Sequence, residues 1–277
     1  MYKVAWLVKL AGTEDRAERA RRSSDEHFEL MRAVPGLERH TVNRGLSIAE
    51  GPGAGREAPT VDGVACAWFI DSAAFESALS SSEWQRVLDH GRELFDPTWE
   101  HAGQAVEIEE RIMRNGPGTP WSGAGVPSGM CKHIGVLQFR HDLTRDAGRA
   151  WWTDVHGPIA LRIPEIRYYV QNHATRALRL DGTDRDGVFV FDGFSEAWFT
   201  DRPTFERAHA SPAWHALRDD APNLFDMQAL DSGVNMVVDE RVIRAERPSS
   251  STRVPPMRRR VRRPSSCRGG PAPRTRA

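Results

Sequence analysis

The sequence predicts an α+β protein of two ferredoxin-like β-α-β-β-α-β units, on three observations. The chain repeats itself: His27, Pro35 and Asn43 recur 129 residues later as His156, Pro164 and Asn172. After a one-residue slip the match resumes at 130, pairing Asp62-Gly63 with Asp192-Gly193, Trp68-Phe69 with Trp198-Phe199, Phe75 with Phe205, Trp84 with Trp214, and Glu110 with Glu240. A period this long exceeds the roughly 20 to 50 residues of solenoid repeats and can hold a core of its own. Second, each half carries four strand signals and two helix signals in one order. Third, a Gly- and Pro-rich stretch from Asn115 to Gly129 separates the halves.

In the first half the strands are Val4 to Leu10, Arg39 to Val42, Val64 to Ile70 and Val106 to Ile112, with helices over Ser23 to Ala33 and Ala73 to about Phe95. In the second they are Ile134 to Phe139, Arg167 to Gln171, Gly187 to Phe199 and Val234 to Val238, with helices over Asp146 to Ile163 and Thr204 to Leu217. Asp71 and Asp201 stand where helix caps belong, and Pro35 and Pro164 end the first helix of each half. The chain divides into a unit at 1–115, a link at 116–129, a second unit at 130–245 and a tail at 246–277.

Formal neutrality hides a division of charge. Residues 247–277 hold ten arginines and no acid, which leaves the rest of the chain near −10. Such a body repels a polyanion, so nucleic-acid binding is disfavoured and the arginine-rich tail is expected to be a disordered, solvated extension. No 18-residue apolar run and no signal segment is present, which predicts a soluble, cytoplasmic protein with no membrane contact. Cys66, Cys131 and Cys267 have no paired spacing, against both a disulfide framework and a metal site. Cys66 sits in an apolar strand and reads as a small buried thiol.

Both helices of a four-stranded unit cover one sheet face, so pairing the halves through their open faces is the economical solution. Trp6, Val8 and Leu10 alternate in one first strand, Leu137 and Phe139 in the other, and Phe194, Glu196 and Trp198 share one face of a third strand. If that face lines the space between sheets, Glu196 is a buried acid with a raised pKa.

Trp152, His156-Gly157-Pro158-Ile159-Ala160, Pro164, Arg167 through His173, and Asp192-Gly193-Phe194-Ser195-Glu196 followed by Trp198-Phe199 closely resemble the EthD domain family. The resemblance spans about 130–245, with several spaced motifs agreeing in order. The first half is a weaker match: it keeps His27, Pro35-Gly36 and Asp62-Gly63, but has Ser23 for Trp152, Phe28-Glu29 for Gly157-Pro158 and Cys66 for Glu196. The resemblance implies membership of the dimeric α+β barrel superfamily, with tandem copies forming an intrachain pseudo-dimeric α+β barrel around a central cavity. Proteins resembling this family are linked to ether degradation and to cyclisation, dehydration or decarboxylation of aromatic polyketides. Related barrels include cofactor-free isomerases, cyclases and monooxygenases as well as haem enzymes, so the fold narrows architecture more than reaction.

His156 is the leading catalytic candidate, since an imidazole near neutral pKa can take a proton alpha to a carbonyl and return it elsewhere; Asp154 could orient the ring if the segment is a turn. The alternative is that His156 bridges the helix end to a backbone carbonyl. Tyr169, Gln171 and His173 alternate on one strand face and Tyr168, Val170 and Asn172 on the other; the sequence does not choose which faces the cavity. Tyr169 could hydrogen-bond a phenolate or enolate, His173 could act as a second base, and Glu196 as an acid or base partner. Asn172, repeated as Asn43, suits a shared turn contact, and His27 belongs to a degenerate half. Trp152, Tyr168, Asn172, Phe194 and Trp198 are the expected substrate-binding set.

No motif announces a metal or an organic cofactor. A haem held by one histidine, with His90, His101, His209 or His215 as ligand, is the minor alternative. The resulting expectation is a cofactor-independent cyclase, dehydratase, decarboxylase or isomerase acting on an aromatic or polyketide-like carbonyl compound. The alternatives are a cofactor-free or haem-dependent monooxygenase and a noncatalytic small-molecule-binding barrel. A homodimer of the whole chain is compatible with the sequence, which carries no signature of one.

Overall fold

Strands rich in Val, Ala and aromatic residues alternate with capped helices in the order read from the sequence. A computed structural model describes residues 1–12, 15–46, 61–98, 101–116, 129–183, 189–227 and 235–244. The Gly-rich stretch at 51–55, most of the expected link, the arginine-rich tail and Cys267 lie outside them.

The first unit runs β1 (Tyr2–Val8), α1 (Arg16–Arg22), a π-helical turn at Ser23–His27, α2 (Phe28–Leu30), β2 (Leu37–Gly45), β3 (Gly63–Phe69), α3 (Ser72–Leu79), α4 (Ser82–Leu94) and β4 (Gln104–Arg114). The second repeats it as β5 (Cys131–Leu137), α5 (Arg145–Trp151), a π-helical turn at Trp152–His156, α6 (Gly157–Ala160), β6 (Tyr168–Arg179), β7 (Gly193–Phe199), α7 (Arg202–His209), α8 (Pro212–Leu224) and β8 (Asn235–Arg244). The single helix expected after each third strand is two helices in both units. Ser81 and Ser211 start a new helix by accepting the amides of Trp84 and Trp214 at 3.1 and 3.2 Å. Asp71 and Asp201 cap the helix before it, each accepting an amide at 2.8 Å.

All eight strands close into one antiparallel barrel in the order β1-β3-β2-β8-β5-β7-β6-β4. Each unit supplies four neighbouring strands, and the seams between units are β2 with β8 and β4 with β6. The fold is therefore a pseudo-dimeric ferredoxin-like α+β barrel. Closure leaves no free sheet edge, the usual liability of antiparallel sheets.

The repeated Asp-Gly pairs position the starts of β3 and β7. Asp62 and Asp192 accept the amides of Leu10 and Phe139 at 2.7 and 2.6 Å. A Cβ on Gly63 or Gly193 would lie 2.2 or 2.4 Å from the carbonyl of Asn43 or Asn172 on the neighbouring strand, so no larger residue fits there.

The barrel interior is filled. Ala5, Val64, Cys66, Val106, Ile134, Val136, Phe194, Met236 and Val238 form one buried cluster, and the opposite strand faces pack beneath the helices in separate clusters. Trp6 was expected on the open face; it lies on the helix side, stacked on His40 at 5.7 Å, and the interior side of β1 is Lys3, Ala5 and Leu7. No helix among the described residues is long and apolar enough to cross a membrane.

Candidate active site

The interior also holds a charge network whose members come in pairs. Glu110 lies opposite Asn172 across one seam and Glu240 opposite Asn43 across the other. Lys3 donates to Glu110 at 2.8 Å and to Asn172 at 2.7 Å; Lys132 donates to Glu240 and to Asn43, both at 2.6 Å. Lys3 lies 4.5 Å above the Trp68 ring and Lys132 4.7 Å above that of Trp198. Glu196 is the asymmetric member, 2.6 Å from Lys132 and 3.7 Å from Lys3, with Asn172 donating to it at 2.9 Å.

Burial alone would raise the Glu196 carboxyl, as expected from the sequence. Lys132 and Lys3, with hydrogen bonds from Lys132 and Asn172, outweigh burial and bring it down to about 2. A carboxylate this stable holds no proton near neutrality, so Glu196 is not the proton donor that the acid-base expectation required. Lys132 loses charge stability to burial but regains more from Glu196 and Glu240, so it too stays charged. Cys66, at the position equivalent to Glu196, is buried and free, its thiol pushed up to about 12 by burial. Asn172, Phe194 and Trp198, expected to bind substrate, belong to this packed interior, and Tyr168 sits edge-on to Trp198 at 6.3 Å. Neither Lys3 nor Lys132 stood out in the sequence, although both occupy the third position of a Met-x-Lys start at the same offset.

A different group gathers under the helices of the second unit. His156, on the π-helical turn, is buried, and its Nδ1 lies 2.8 Å from Asp220 Oδ2 on α8. The carboxylate must accept, so Nδ1 carries the proton and the neutral ring keeps its lone pair on Nε2. Burial lowers the pKa of His156, and the Asp220 hydrogen bond and charge offset this only in part, leaving it below the usual histidine value. Phe225 packs edge-on to the ring at 5.0 Å. Asp154 was expected to orient this histidine; it is exposed, because positions two apart on helical backbone do not share a face. Asp220 takes the orienting position instead. It was missed because it ends the charged run Arg218-Asp219-Asp220, which reads as a solvated helix face.

Trp152 stands one turn before His156, with its ring against His173 at 4.3 Å and Phe139 and Phe225 at 6.3 Å each. Tyr169, Gln171 and His173 are the helix-side face of β6. Gln171 donates to the Trp152 carbonyl at 2.8 Å and approaches the Tyr169 hydroxyl at 3.5 Å, and its Oε1 lies 3.1 Å from His173 Nε2. Burial raises the Tyr169 phenol, with hydrogen bonds from Gln171 and Trp152 opposing. Gly148 and Gly193 admit the aromatic rings: a Cβ would meet Phe139 at 2.6 Å in the first case and Trp152 at 2.6 Å in the second. The structure thus brings His156, Trp152, Tyr169 and His173 together and separates them from Glu196, which lies on the other side of the sheet.

The first unit lacks this set. His27 meets His90 in place of an aspartate, Nδ1 to Nδ1 at 3.3 Å, and Ser23, His40, Val42 and Arg44 replace Trp152, Tyr169, Gln171 and His173. Among the other histidines raised for haem, His209 lies tilted against Trp214 at 4.9 Å and His215 is exposed on α8. Among the described residues no cluster of three His, Cys, Asp or Glu side chains could hold a metal ion.

Buried neutral histidines set an acid limit on the fold. Burial drives His40 down to about 4 and His173 to about 3, and moves His27 and His133 to about 3. The unfolded chain binds protons near pH 6.5 where the folded protein does not. Stability is therefore complete above about pH 7 and declines toward pH 4, by up to about 1.4 kcal/mol per pH unit for each ring. Urea titrations between about pH 7.5 and 5 should show the midpoint falling; a constant midpoint would contradict the burial of these rings.

The EthD domain profile matches residues 140–228, inside the second unit. A search of curated protein sequences finds no match. Among solved structures the chain is similar to an anthrone oxidase-like protein, with a TM-score of 0.50 and 14% identity over 89% of this chain and 94% of that one. It is also similar to a candidate monooxygenase from Fusobacterium nucleatum (0.48, 8%, 87% and 89%) and a chlorite dismutase variant from Candidatus Nitrospira defluvii (0.40, 12%, 87% and 90%). At 14% identity the first of these likenesses establishes the fold alone. Its name nonetheless corrects the lyase or isomerase expectation: it is an oxidase name, and nothing in it points to polyketides. The chain resembles the dimeric α+β barrel superfamily broadly, including EthD-like and related barrel proteins, at low identity.

Proposed function

We propose that the protein is a cofactor-free oxygenase acting on a phenol or an enolisable aromatic ketone, with its site under the helices of the second unit. The two halves are read as tandem EthD-like copies of which the first has lost the site residues. The observation that carries the reading is buried His156 paired with part-buried Asp220 beside Trp152 and Phe225: a neutral imidazole, fixed as the Nδ1–H tautomer, whose Nε2 lone pair has no partner among the described residues.

Such a base removes a proton from an acidic carbon or hydroxyl, and Asp220 stabilises the imidazolium that forms. The resulting anion is electron-rich and can react with dioxygen directly. Conversion of a methylene to a ketone consumes one dioxygen and releases one water. The aromatic walls of Trp152, Phe139 and Phe225 suit a flat ring system and exclude water, which strengthens the Asp220 interaction.

A haem in this space would be held through Nε2 of His156, whose Nδ1–H is fixed by Asp220; the cofactor-free reading is separated from that one by the requirement for an added cofactor. Anthrone serves as the probe substrate. Oxygen consumption on adding it to the full-length protein, with one dioxygen taken up per ketone formed and no added cofactor, is the expected result. Absence of uptake with anthrone and with simple naphthols would overturn the reading.

A further inference from the structure

Gln171 is 0% exposed, and both polar atoms of its side chain are engaged. The Trp152 carbonyl can only accept, so the amide nitrogen must face it, at 2.8 Å, and the amide oxygen then accepts from His173 Nε2 at 3.1 Å. That carbonyl belongs to the π-helical turn that carries His156, and it also receives the Gly157 amide, which closes the turn. Gly157 leaves room for the tie: a Cβ there would lie 2.7 Å from Gln171 Nε2 and 3.0 Å from the Trp152 carbonyl. On the other flank Arg111 of β4 donates to Thr153 Oγ1 at 2.9 Å, and Thr153 donates to the Arg149 carbonyl at 2.9 Å.

The first unit separates the roles of these contacts. Its π-helical turn, Ser23–His27, forms with Val42 in place of Gln171 and Phe28 in place of Gly157. It too is held by an arginine from the other unit, Arg241, which donates to the Ser24 carbonyl and to Asp25. The arginine is therefore the common fastening of the turn, and backbone of this shape forms without a glutamine. Gln171 and Gly157 stand in the unit where the histidine has an aspartate partner, and both are replaced where that partner is His90.

We propose that Gln171 is a positioning residue for His156: it pins the Trp152 carbonyl to β6 and so fixes where the histidine of the turn meets Asp220, with Gly157 as the space that admits it. Trp152 stands one turn before His156, so a shift of its carbonyl passes through the intervening peptide units to the imidazole. The bond from His156 Nδ1 to Asp220, at 2.8 Å, has the length of a charge-assisted hydrogen bond, and such bonds weaken steeply with poor alignment. A ring displaced from Asp220 is free to carry its proton on either nitrogen. That the fixed tautomer serves proton removal rests on the oxygenase reading; the positioning rests on these contacts.

The test reads the ring nitrogens of His156 by NMR in the full-length protein, below the melting transition of each variant. The unaltered protein should show a protonated Nδ1 and a bare Nε2. Gln171→Met keeps the side-chain length and removes the donor and the acceptor; His156 should lose the single-tautomer pattern while the chain still melts cooperatively. Arg111→Met, which loosens the fastening common to both units, should lower the melting temperature and leave the pattern in place. An unchanged pattern in folded Gln171→Met overturns the proposal, and so does equal loss in Arg111→Met, because any loosening of the turn would then suffice. Should Gln171→Met fail to fold, proton exchange in the unaltered protein decides. One local opening releases both groups if Gln171 holds the turn, so the His156 Nδ1 proton and the Gln171 amide protons should share one dependence of exchange on denaturant; different dependences overturn it. Oxygen uptake separates this from the oxygenase reading. A protein whose His156 tautomer depends on Gln171 but which oxidises nothing overturns that reading alone, and uptake with a His156 indifferent to Gln171 overturns the positioning alone.

Discussion

Replacing His156 by alanine should lower the rate of the deprotonation step by about 10²–10⁴, with the melting transition close to that of the unaltered protein. The ring touches Asp220 and Phe225 and contributes little to the large clusters beneath the helices, so its removal takes away the base and leaves most of the packing. Single-turnover measurement with anthrone under saturating oxygen isolates the chemistry. Replacing the acidic hydrogens by deuterium should slow the unaltered protein, because proton removal precedes the reaction with oxygen. Asp220→Asn should also be impaired while the histidine remains, since an amide neither enforces the Nδ1–H tautomer nor stabilises the imidazolium. The pH profile separates the two variants. With Asp220 gone, burial alone acts on His156 and its pKa falls further, so the acid limb of the rate profile moves to lower pH. Unchanged single-turnover rates in His156→Ala would remove the proposed base.

Replacing Lys132 by methionine should be the most destabilising single change in the barrel interior, at about 3–5 kcal/mol, the range for breaking a buried ion pair by removing one partner. Lys132 contacts the buried Glu196 and the part-buried Glu240 at 2.6 Å each. Without it, Glu240 loses its cation partner among the described residues and Glu196 keeps only Lys3, 3.7 Å away and shared with Glu110. Glu196→Gln should cost much less, because each lysine then keeps one glutamate and Asn172 can still bond the amide. The ordering distinguishes a network that needs its cations from one that merely fills space. In Lys132→Met, Glu196 would have a folded-state pKa above its unfolded value, so the deficit relative to the unaltered protein should shrink as the pH falls through that raised value. In the unaltered protein the sign is opposite: Glu196, held near 2, contributes stability that is present above about pH 4.5 and lost as the pH falls toward 2. Urea midpoints for the three proteins at two pH values measure both effects, and equal losses in the two variants would refute the network argument.

Much of the barrel was legible before its shape was known. Asn43 with Asn172, Trp68 with Trp198 and Glu110 with Glu240 stood out as repeats, and they are the members of the network at the two seams. Their offsets reflect a shared physical task, pairing a strand of one unit with a strand of the other. The face of β6 was not legible, because both of its faces are buried and both carry polar groups, so alternation gives no inside or outside. The π-helical turn hides the His156 environment in a similar way: one extra residue rotates the helix, so a helical wheel misplaces everything beyond it. Asp220 lies 64 residues from its histidine, and only the assembled helices bring the two together. The reversal of the Glu196 pKa also required the assembled barrel, since Lys3 reaches that carboxylate from the other half of the chain.

The covalent union of the two halves has a consequence for what the protein can become. In a two-fold homodimer every substitution is made twice, so a carboxylate placed on the axis meets its own image, and a residue that helps one site must be tolerated in both. Here the axis position holds Glu196 on one side and Cys66 on the other, and the helix partner of the histidine is Asp220 in one half and His90 in the other. A barrel of identical subunits would bring two carboxylates toward each other at its centre. A single chain can hold one, flanked by both lysines, and can leave one half to maintain the barrel while the other half diversifies.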